Sequence, residues 1–278
     1  MATVAQGGIG TGPRPDCLIG TERAHALDRW IFVVMAGWFI AIVLAGFIPD
    51  SLDKIEMVRT GARPPFPAIL HVHAVLMGSF LLLLLAQTWM MATGRRERHM
   101  QVGIFGFALA GALIIAGFIL VKTNYMMLWG ASQSADPAVS GPASEGVHIW
   151  ENILLLQVRI GLLFALFLAI GFRARGNDSG THKRMMILAS AMALPAGIDR
   201  IPWLPHTMPG SPLSPDLYTL LAVSPMLVWD VVRNGYLHRA WWIVFAVYLP
   251  FAVAVHMLWN SPGWHSAEKQ LMGVGSRR

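Results

Sequence analysis

Charged residues are scarce in this chain. Of its 278 residues, only 13% are Asp, Glu, Lys or Arg, whereas 55% are hydrophobic. A soluble domain carries about 25% charged residues. This shortage, together with a mean hydropathy of +0.54, excludes a disordered chain, a collagen, a coiled coil and an ordinary soluble enzyme. The class that remains is an integral membrane protein, for which the lipid bilayer is the first expected partner.

Other absences narrow the class further. The one cysteine, Cys17, lies in a polar segment and has no second cysteine with which to form an intrachain disulfide. The first 29 residues contain no apolar run, so we expect no cleavable signal peptide. The sequence contains no HExxH, CxxCH or Walker phosphate-binding motif. Its last apolar stretch lacks both the lysine of a retinal Schiff base and a His-x-x-x-His zinc pair.

Seven apolar stretches are long enough to cross a bilayer, whose ~30 Å core needs about 20 residues of helix. Because the runs are continuous and do not alternate with polar residues, they predict helices and not the strands of a barrel. We therefore expect an all-α fold, a polytopic seven-transmembrane-helix bundle over residues 30–260, between polar tails at 1–29 and 261–278. The predicted spans are 30–48, 67–93, 102–121, 147–172, 184–200, 217–232 and 241–259.

Lys and Arg residues are unevenly divided between the two sides of this bundle. Nine lie in the connections after the second, fourth and sixth spans, and five lie on the opposite side. Because positive residues accumulate in cytoplasmic loops, we expect the N-terminus inside and the C-terminus outside, in a bacterial inner (plasma) membrane. We assign the net charge of +6 to this membrane anchoring, and we expect no nucleic acid partner. The longest connection, 124–146, is expected to be either disordered or a lid.

Polar side chains within apolar spans cost free energy, so they are the best functional clue in this sequence. Arg159 lies near the centre of the fourth span and cannot remain unpaired there. Asp230, in the sixth span, is expected at a similar depth, and we predict that the two form an ion pair. This pair either locks the bundle, or leaves a charge that binds a carboxylate or a haem propionate.

Three histidines and two carboxylates are expected at one depth, near the outer face and on four helices. They are His73, His148, Glu151, Asp199 and His256. Such lone-pair donors in a partly dry pocket are what a metal centre requires. His71 is a further candidate ligand, but it lies about 200° from His73 around their helix, and we expect His73 to be the one that faces inward. The candidate cofactor-binding residues are His73, His148, His256 and Arg159.

The expected cofactor is a transition metal (iron, copper or zinc) or a haem b held by two histidines on facing helices. We count one His-x-x-Glu pair, His148 and Glu151, in the reverse of the Glu-x-x-His order of carboxylate-bridged di-iron bundles, so we expect no di-iron centre. The leading hypothesis is a metal- or haem-binding membrane protein with its site toward the outer leaflet and redox activity, hence an oxidoreductase. The alternatives are a small-molecule carrier or permease, and an accessory subunit or homo-oligomer that packs through a glycine-rich third span.

Short motifs also carry a resemblance. The residues THKRMM at 181–186 open a helix that ends in DRI at 199–201, and LHVHA at 70–74 opens the second span. With these His-Arg and His-Lys-Arg helix starts, residues 67–260 resemble bacterial multi-span membrane proteins of unassigned function. The resemblance implies a membrane bundle and carries no activity. The histidines spread over several helices are also similar to those of b-type cytochrome bundles, without their ligand spacing.

Overall fold

The computed structural model describes residues 16–19 and 25–274, and this part of the chain is helical, with no strand. Six of its helices are long and apolar enough to cross a membrane, so the chain is a multi-pass helical membrane protein. A turn of 3-10 helix, Cys17–Ile19, precedes them. The α-helices are α1 (Ala26–Arg59), α2 (Ala68–Ala92), α3 (Arg96–Ser132), α4 (Pro137–Ala174), α5 (Ser179–Ala191), α6 (Leu194–Ile198), α7 (Leu213–Asn234), α8 (Arg239–Leu258) and α9 (Pro262–Met272).

The fifth predicted span, 184–200, is not one helix. α5 ends at Ala191 and α6 begins at Leu194, so neither piece reaches the ~20 residues of a full crossing. The break has a local cause, because Pro195 lacks the N–H that would bond to the carbonyl of Ala191, the last residue of α5, and its ring clashes with that carbonyl. The described part of the chain therefore has six uninterrupted candidate spans and one broken helix pair.

α5 is the central helix of the bundle although it is the most polar of the predicted spans. Nine of its 13 residues are buried, and it packs against α1, α2, α4, α7 and α8. α6 continues along α1 at very close range. A Cβ atom at Gly46 of α1 would overlap the carbonyl oxygen of Gly197 in α6, and one at Gly197 would lie 3.3 Å from the Cα of Val43. The close approach therefore requires glycine at 46 and leaves little room for a side chain at 197.

Residues 124–132 and 137–146 are helical, so the long connection that was expected to be disordered or a lid is reduced to four residues. α3 continues to Ser132, and α4 begins at Pro137. Asp136 caps α4 by accepting a hydrogen bond from the Ala138 N–H at 2.9 Å, and proline is well suited to the first turn that follows. The 38 residues of α4 extend about 57 Å at 1.5 Å per residue, well beyond a ~30 Å bilayer core.

Most of segment 261–278, expected to be a polar tail, folds into α9. Ser261 caps this helix by accepting a hydrogen bond from the Trp264 N–H at 3.2 Å. α9 packs against α4 and α3, and the Trp264 Nε1–H donates to the backbone carbonyl of Glu151 at 2.7 Å. We call this side of the bundle the α9 end. The opposite side, where α1 begins and α4 and α7 end, is the N-terminal end.

Candidate metal centre

α4 and α9 bring two His-x-x-Glu pairs together at the α9 end. His148 and Glu151 lie on α4, and His265 and Glu268 lie on α9. A spacing of three residues places both members of each pair on one face of its helix. The count of a single His-x-x-Glu pair is therefore wrong, because the second pair lies beyond the predicted spans, in the segment expected to be a tail.

Glu151 is at the centre of this group. Its Oε2 lies 2.5 Å from Nδ1 of His265 and 3.8 Å from Nδ1 of His148, and the Lys269 Nζ lies 3.7 Å from its Oε1. The two imidazole rings are stacked, with centroids 4.4 Å apart. One ligand atom from each of His148, Glu151 and His265 lies within 4.8 Å of the others, close enough to bind one ion, and residues 16–19 and 25–274 contain no other such group.

Several buried polar atoms around Glu151 have no hydrogen-bond partner. Glu151 is 2% exposed, and Glu268 and Tyr125 are 0% exposed. No hydrogen bond of normal geometry reaches Glu151 Oε1, either carboxylate oxygen of Glu268, the His265 Nε2 or the Tyr125 hydroxyl, and the His265 Nδ1 has only its close contact with Glu151 Oε2. Buried polar atoms normally have a partner, and each one without costs about 1–3 kcal/mol. We call Tyr125, His148, Glu151, His265 and Glu268 the open cluster.

The open cluster also carries negative charge in a dry environment. Burial, with the nearby charge of Glu151 as a second cause, raises the pKa of Glu268 to about 7. Tyr125 lies within electrostatic reach of both carboxylates. A cation bound among these residues would relieve the repulsion between the carboxylates and would supply partners for their free oxygens.

Arg159 does not pair with Asp230, so that prediction is wrong. Both terminal nitrogens of Arg159 donate to the carboxylate of Asp216, Nη1 at 3.0 Å from Oδ2. The Tyr248 hydroxyl donates to Oδ1 of the same carboxylate at 2.9 Å, and the His256 Nε2 lies 3.1 Å from its Oδ2. Each carboxylate oxygen thus has two partners. We call Arg159, Asp216, Tyr248 and His256 the Arg159 cluster.

The wrong partner was predicted for Arg159 because Arg159 and Asp230 were expected at a similar depth in the membrane, and they are not. α4 and α7 both end at the N-terminal end, with Arg159 about 15 residues from the last residue of α4 and Asp230 about four residues from the last residue of α7. At 1.5 Å per residue the two positions differ in depth by about 16 Å. Asp216, in the first turn of α7, is the acidic residue at the depth of Arg159.

Asp230 instead binds Arg184 of α5 at the N-terminal end. The Arg184 Nε and Nη2 donate to Asp230 at 2.6 Å each, and Nη1 and Nη2 donate to Asp16 at 2.7 and 3.0 Å. The Asn234 amide and the Trp241 indole N–H complete the bonding of Asp230. We call Asp16, Arg184, Asp230, Asn234 and Trp241 the Arg184 cluster.

The remaining candidate ligands lie at the α9 end but face different neighbours. His73 faces α3, with its Nδ1 buried and its ring beside Gly117, whereas His71 is exposed and its ring contacts that of Phe66. Asp199 follows α6 and has a buried Oδ1 with no partner. Of the six predicted metal ligands, only His148 and Glu151 meet in one group of ligand atoms within the described residues.

Tyr125, His265 and Glu268 were not predicted as site residues. The signal for the last two was present in the sequence, because His265 and Glu268 repeat the spacing of His148 and Glu151 directly after a helix-capping Ser-Pro. Tyr125 had no such signal, since a tyrosine at the end of an apolar span is usually interfacial.

Comparison with known proteins gives no relative for this site. No family model matches the chain, and no curated protein or solved structure is significantly similar to it. The chemistry of this site therefore follows from the geometry of its residues.

Proposed function

We propose that this protein is a membrane metalloprotein that binds a transition-metal ion in the open cluster, with His148, Glu151 and His265 as ligands. The observation that carries the proposal is the convergence of three ligand atoms beside buried polar atoms that have no partner. Two imidazoles and one carboxylate form the donor set of catalytic zinc sites and of non-haem iron(II) oxygenases. Because the three ligand atoms are nitrogen and oxygen, we expect iron or zinc ahead of copper(I).

The same geometry favours an ion over haem b. The two axial ligands of one haem lie on opposite faces of the macrocycle, whereas the rings of His148 and His265 are stacked against each other. His73 and His256 contact other groups, on α3 and in the Arg159 cluster respectively. None of these contacts brings two histidines to opposite faces of one macrocycle.

Three protein ligands leave a coordination position open for water or substrate, as in catalytic metal sites. The His148 side chain is 60% exposed, so the open cluster can be reached from the aqueous side. Counting about 20 residues back from Arg173, at the other end of α4, places the edge of the bilayer core near residue 153. The ion would lie at this edge. Iron there would support the redox activity predicted from the sequence, and zinc would support hydrolysis.

Metal analysis of the protein purified in mild detergent tests this proposal. We expect about one iron or zinc ion per chain after reconstitution, and loss of most of it in Glu151→Gln and His265→Gln. The matched control is His71→Gln, an exposed histidine that the sequence also suggested as a ligand. A folded wild-type protein that binds neither metal, or equal losses in His71→Gln and His265→Gln, would refute the proposal.

We also propose that α5 and α6 together complete a seventh crossing, and that the N-terminal end faces the cytoplasm of a bacterial inner membrane. Support for the crossing comes from α4, which ends at the N-terminal end, and from the segment before α7, which lies at the α9 end because the Trp259 indole N–H donates to the Pro209 carbonyl. Support for the orientation comes from the Lys and Arg bias. An impermeant chelator should then remove the metal from right-side-out vesicles and not from inverted ones.

A further inference from the structure

A groove of about 480 Å³ lies at the N-terminal end, between the last turn of α4 and the first turns of α5 and α8. Arg173 and Arg239 line its outer part, and both are well exposed. Ile170 and Ile243 line its inner part. The volume is within the range of small-molecule sites, about 300–1,000 Å³. None of the residues of the metal centre contributes to it.

The polarity of the groove changes in one direction along two helices. α4 ends at Ala174, so Ile170 lies about 4.5 Å deeper in the bundle than Arg173 at 1.5 Å per residue. α8 begins at Arg239, so Ile243 lies about 6 Å deeper than that arginine. The groove is thus cationic at the level of the helix ends and apolar toward the membrane interior. A phospholipid has the matching order, an anionic headgroup followed by hydrocarbon.

The charge of the groove is positive despite one carboxylate in its wall. Asp178 forms an ion pair with Arg239 and caps α5 by accepting a hydrogen bond from the Thr181 N–H at 2.9 Å. The Arg239 Nε donates to the Thr181 hydroxyl at 2.9 Å. These contacts fix Arg239 at the rim, while Arg173 projects from the end of α4. Two guanidinium groups against one carboxylate leave a net positive charge.

We propose that this groove binds the headgroup of an anionic phospholipid, with Arg173 and Arg239 contacting the phosphate and with Ile170 and Ile243 contacting the start of an acyl chain. An arginine near an anionic headgroup contributes about five-fold in affinity. The preference for an anionic lipid over a zwitterionic one should therefore be about 25-fold with both arginines present. This site and the metal centre lie at opposite ends, so either can fail without the other.

Native mass spectrometry of the full chain tests the lipid site. The protein is delipidated in mild detergent and offered equal amounts of phosphatidylglycerol and phosphatidylcholine. We expect the wild type to retain phosphatidylglycerol preferentially, Arg173→Gln to lose about five-fold of that preference, and Arg173→Gln/Arg239→Gln to lose nearly all of it. The matched control is Arg96→Gln/Arg98→Gln, which removes two exposed arginines from the first turn of α3, on the same side.

Three results would overturn the proposal. One is equal retention of the two lipids by the wild type, and another is an equal loss in the groove variants and in the control. The third is displacement of the lipid by inorganic phosphate, which would mean that the groove recognises a free anion and that the acyl chain is irrelevant. If removing Arg239 from its contact with Asp178 unfolds the double variant, Arg173→Gln alone decides the matter.

Discussion

The two ends of this bundle bury carboxylates in opposite ways. In the Arg184 cluster, every side-chain oxygen of Asp16 and Asp230 accepts at least one hydrogen bond. In the open cluster, neither oxygen of Glu268 accepts a hydrogen bond of normal geometry, and the Tyr125 hydroxyl is the one nearby hydrogen-bond donor that lowers its pKa. The pKa values of Asp16 and Glu268 are therefore shifted in opposite directions. Burial alone would raise the pKa of Asp16, but the hydrogen bonds and charge of Arg184 lower it, whereas the pKa of Glu268 is raised to about 7.

This difference separates buried carboxylates that are fully paired within the fold from buried carboxylates whose oxygens lack well-formed partners among the described residues. The Arg159 cluster belongs to the first kind, because Asp216 makes four polar contacts with three residues, Arg159, Tyr248 and His256. Because Asp216 pairs with Arg159, Arg159 is not the unpaired arginine that a carrier would use to bind its substrate. The open cluster is the one place in the described residues where several buried polar atoms from different helices lie together without partners.

The largest effect is expected at the N-terminal end, where removing the cation leaves two buried anions. Arg184→Met keeps the side chain long and apolar but leaves Asp16 and Asp230 without their shared partner. Breaking a buried ion pair in this way costs about 3–5 kcal/mol. The free energy of unfolding in mixed detergent micelles should fall by that amount. Arg98→Met, at an exposed arginine, should change it by less than about 0.5 kcal/mol, and equal effects would contradict the structural role of Arg184.

Local sequence patterns predicted the crossing helices because apolarity over about 20 residues is a local property. They also predicted a helix at 184–200, but not the partners of its buried Arg184, because Asp16 and Asp230 are 168 and 46 positions away. A polar helix looks unsuited to the centre of a membrane bundle until its distant partners are known. The wrong partner for Arg159 has another cause, because the predicted ends of the fourth and sixth spans, 172 and 232, already place Arg159 and Asp230 about 16 Å apart in depth at 1.5 Å per residue.

Half of the open cluster was predictable, because residue spacing within one helix is also a local property. His148 and Glu151 share a face of one helix, and the spacing of three shows this directly. The other half depends on α9 folding back onto α4, a tertiary contact between residues more than 100 positions apart. His73 and His256 were expected to join them because they lie at one depth. Depth does not fix how each helix is rotated, and the two histidines face α3 and Asp216 instead.

A smaller effect is expected from pH at the α9 end. Because the pKa of Glu268 is about 7 in the fold, above its ordinary value, the fold favours the protonated form. The stability that this provides is present at low pH and is lost as pH rises toward about 7, by up to about 3 kcal/mol in the metal-free protein. Glu268→Gln should remove that loss, which unfolding measured in both proteins from about pH 4.5 to 8 would detect.

Asp16→Asn is the matched control for this pH dependence, because Asp16 has a lowered pKa and contributes its stability above its ordinary pKa. The loss from Asp16 should therefore occur on acidification, opposite to that from Glu268. Parallel stability curves for the wild type and Glu268→Gln would show that Glu268 has a partner in the fold, and the contrast between the two ends would disappear.

The smallest effect, and the most direct comparison, comes from one substitution made at two buried tyrosines. Tyr125 is 0% exposed with an unpartnered hydroxyl, and Tyr248 is 4% exposed with its hydroxyl bonded to Asp216 at 2.9 Å. Tyr248→Phe deprives a charged acceptor of a donor and should cost about 1.5 kcal/mol. Tyr125→Phe deletes a hydroxyl that makes no hydrogen bond of normal geometry, so the metal-free protein should be unchanged or stabilised by up to about 1 kcal/mol. Both variants fill nearly the same volume, so packing cancels in the comparison. The free energy of unfolding of both variants is measured without metal. Equal destabilisation would mean that the polar groups of the open cluster are as well paired as those of the Arg159 cluster, and that the open cluster has no need of an ion.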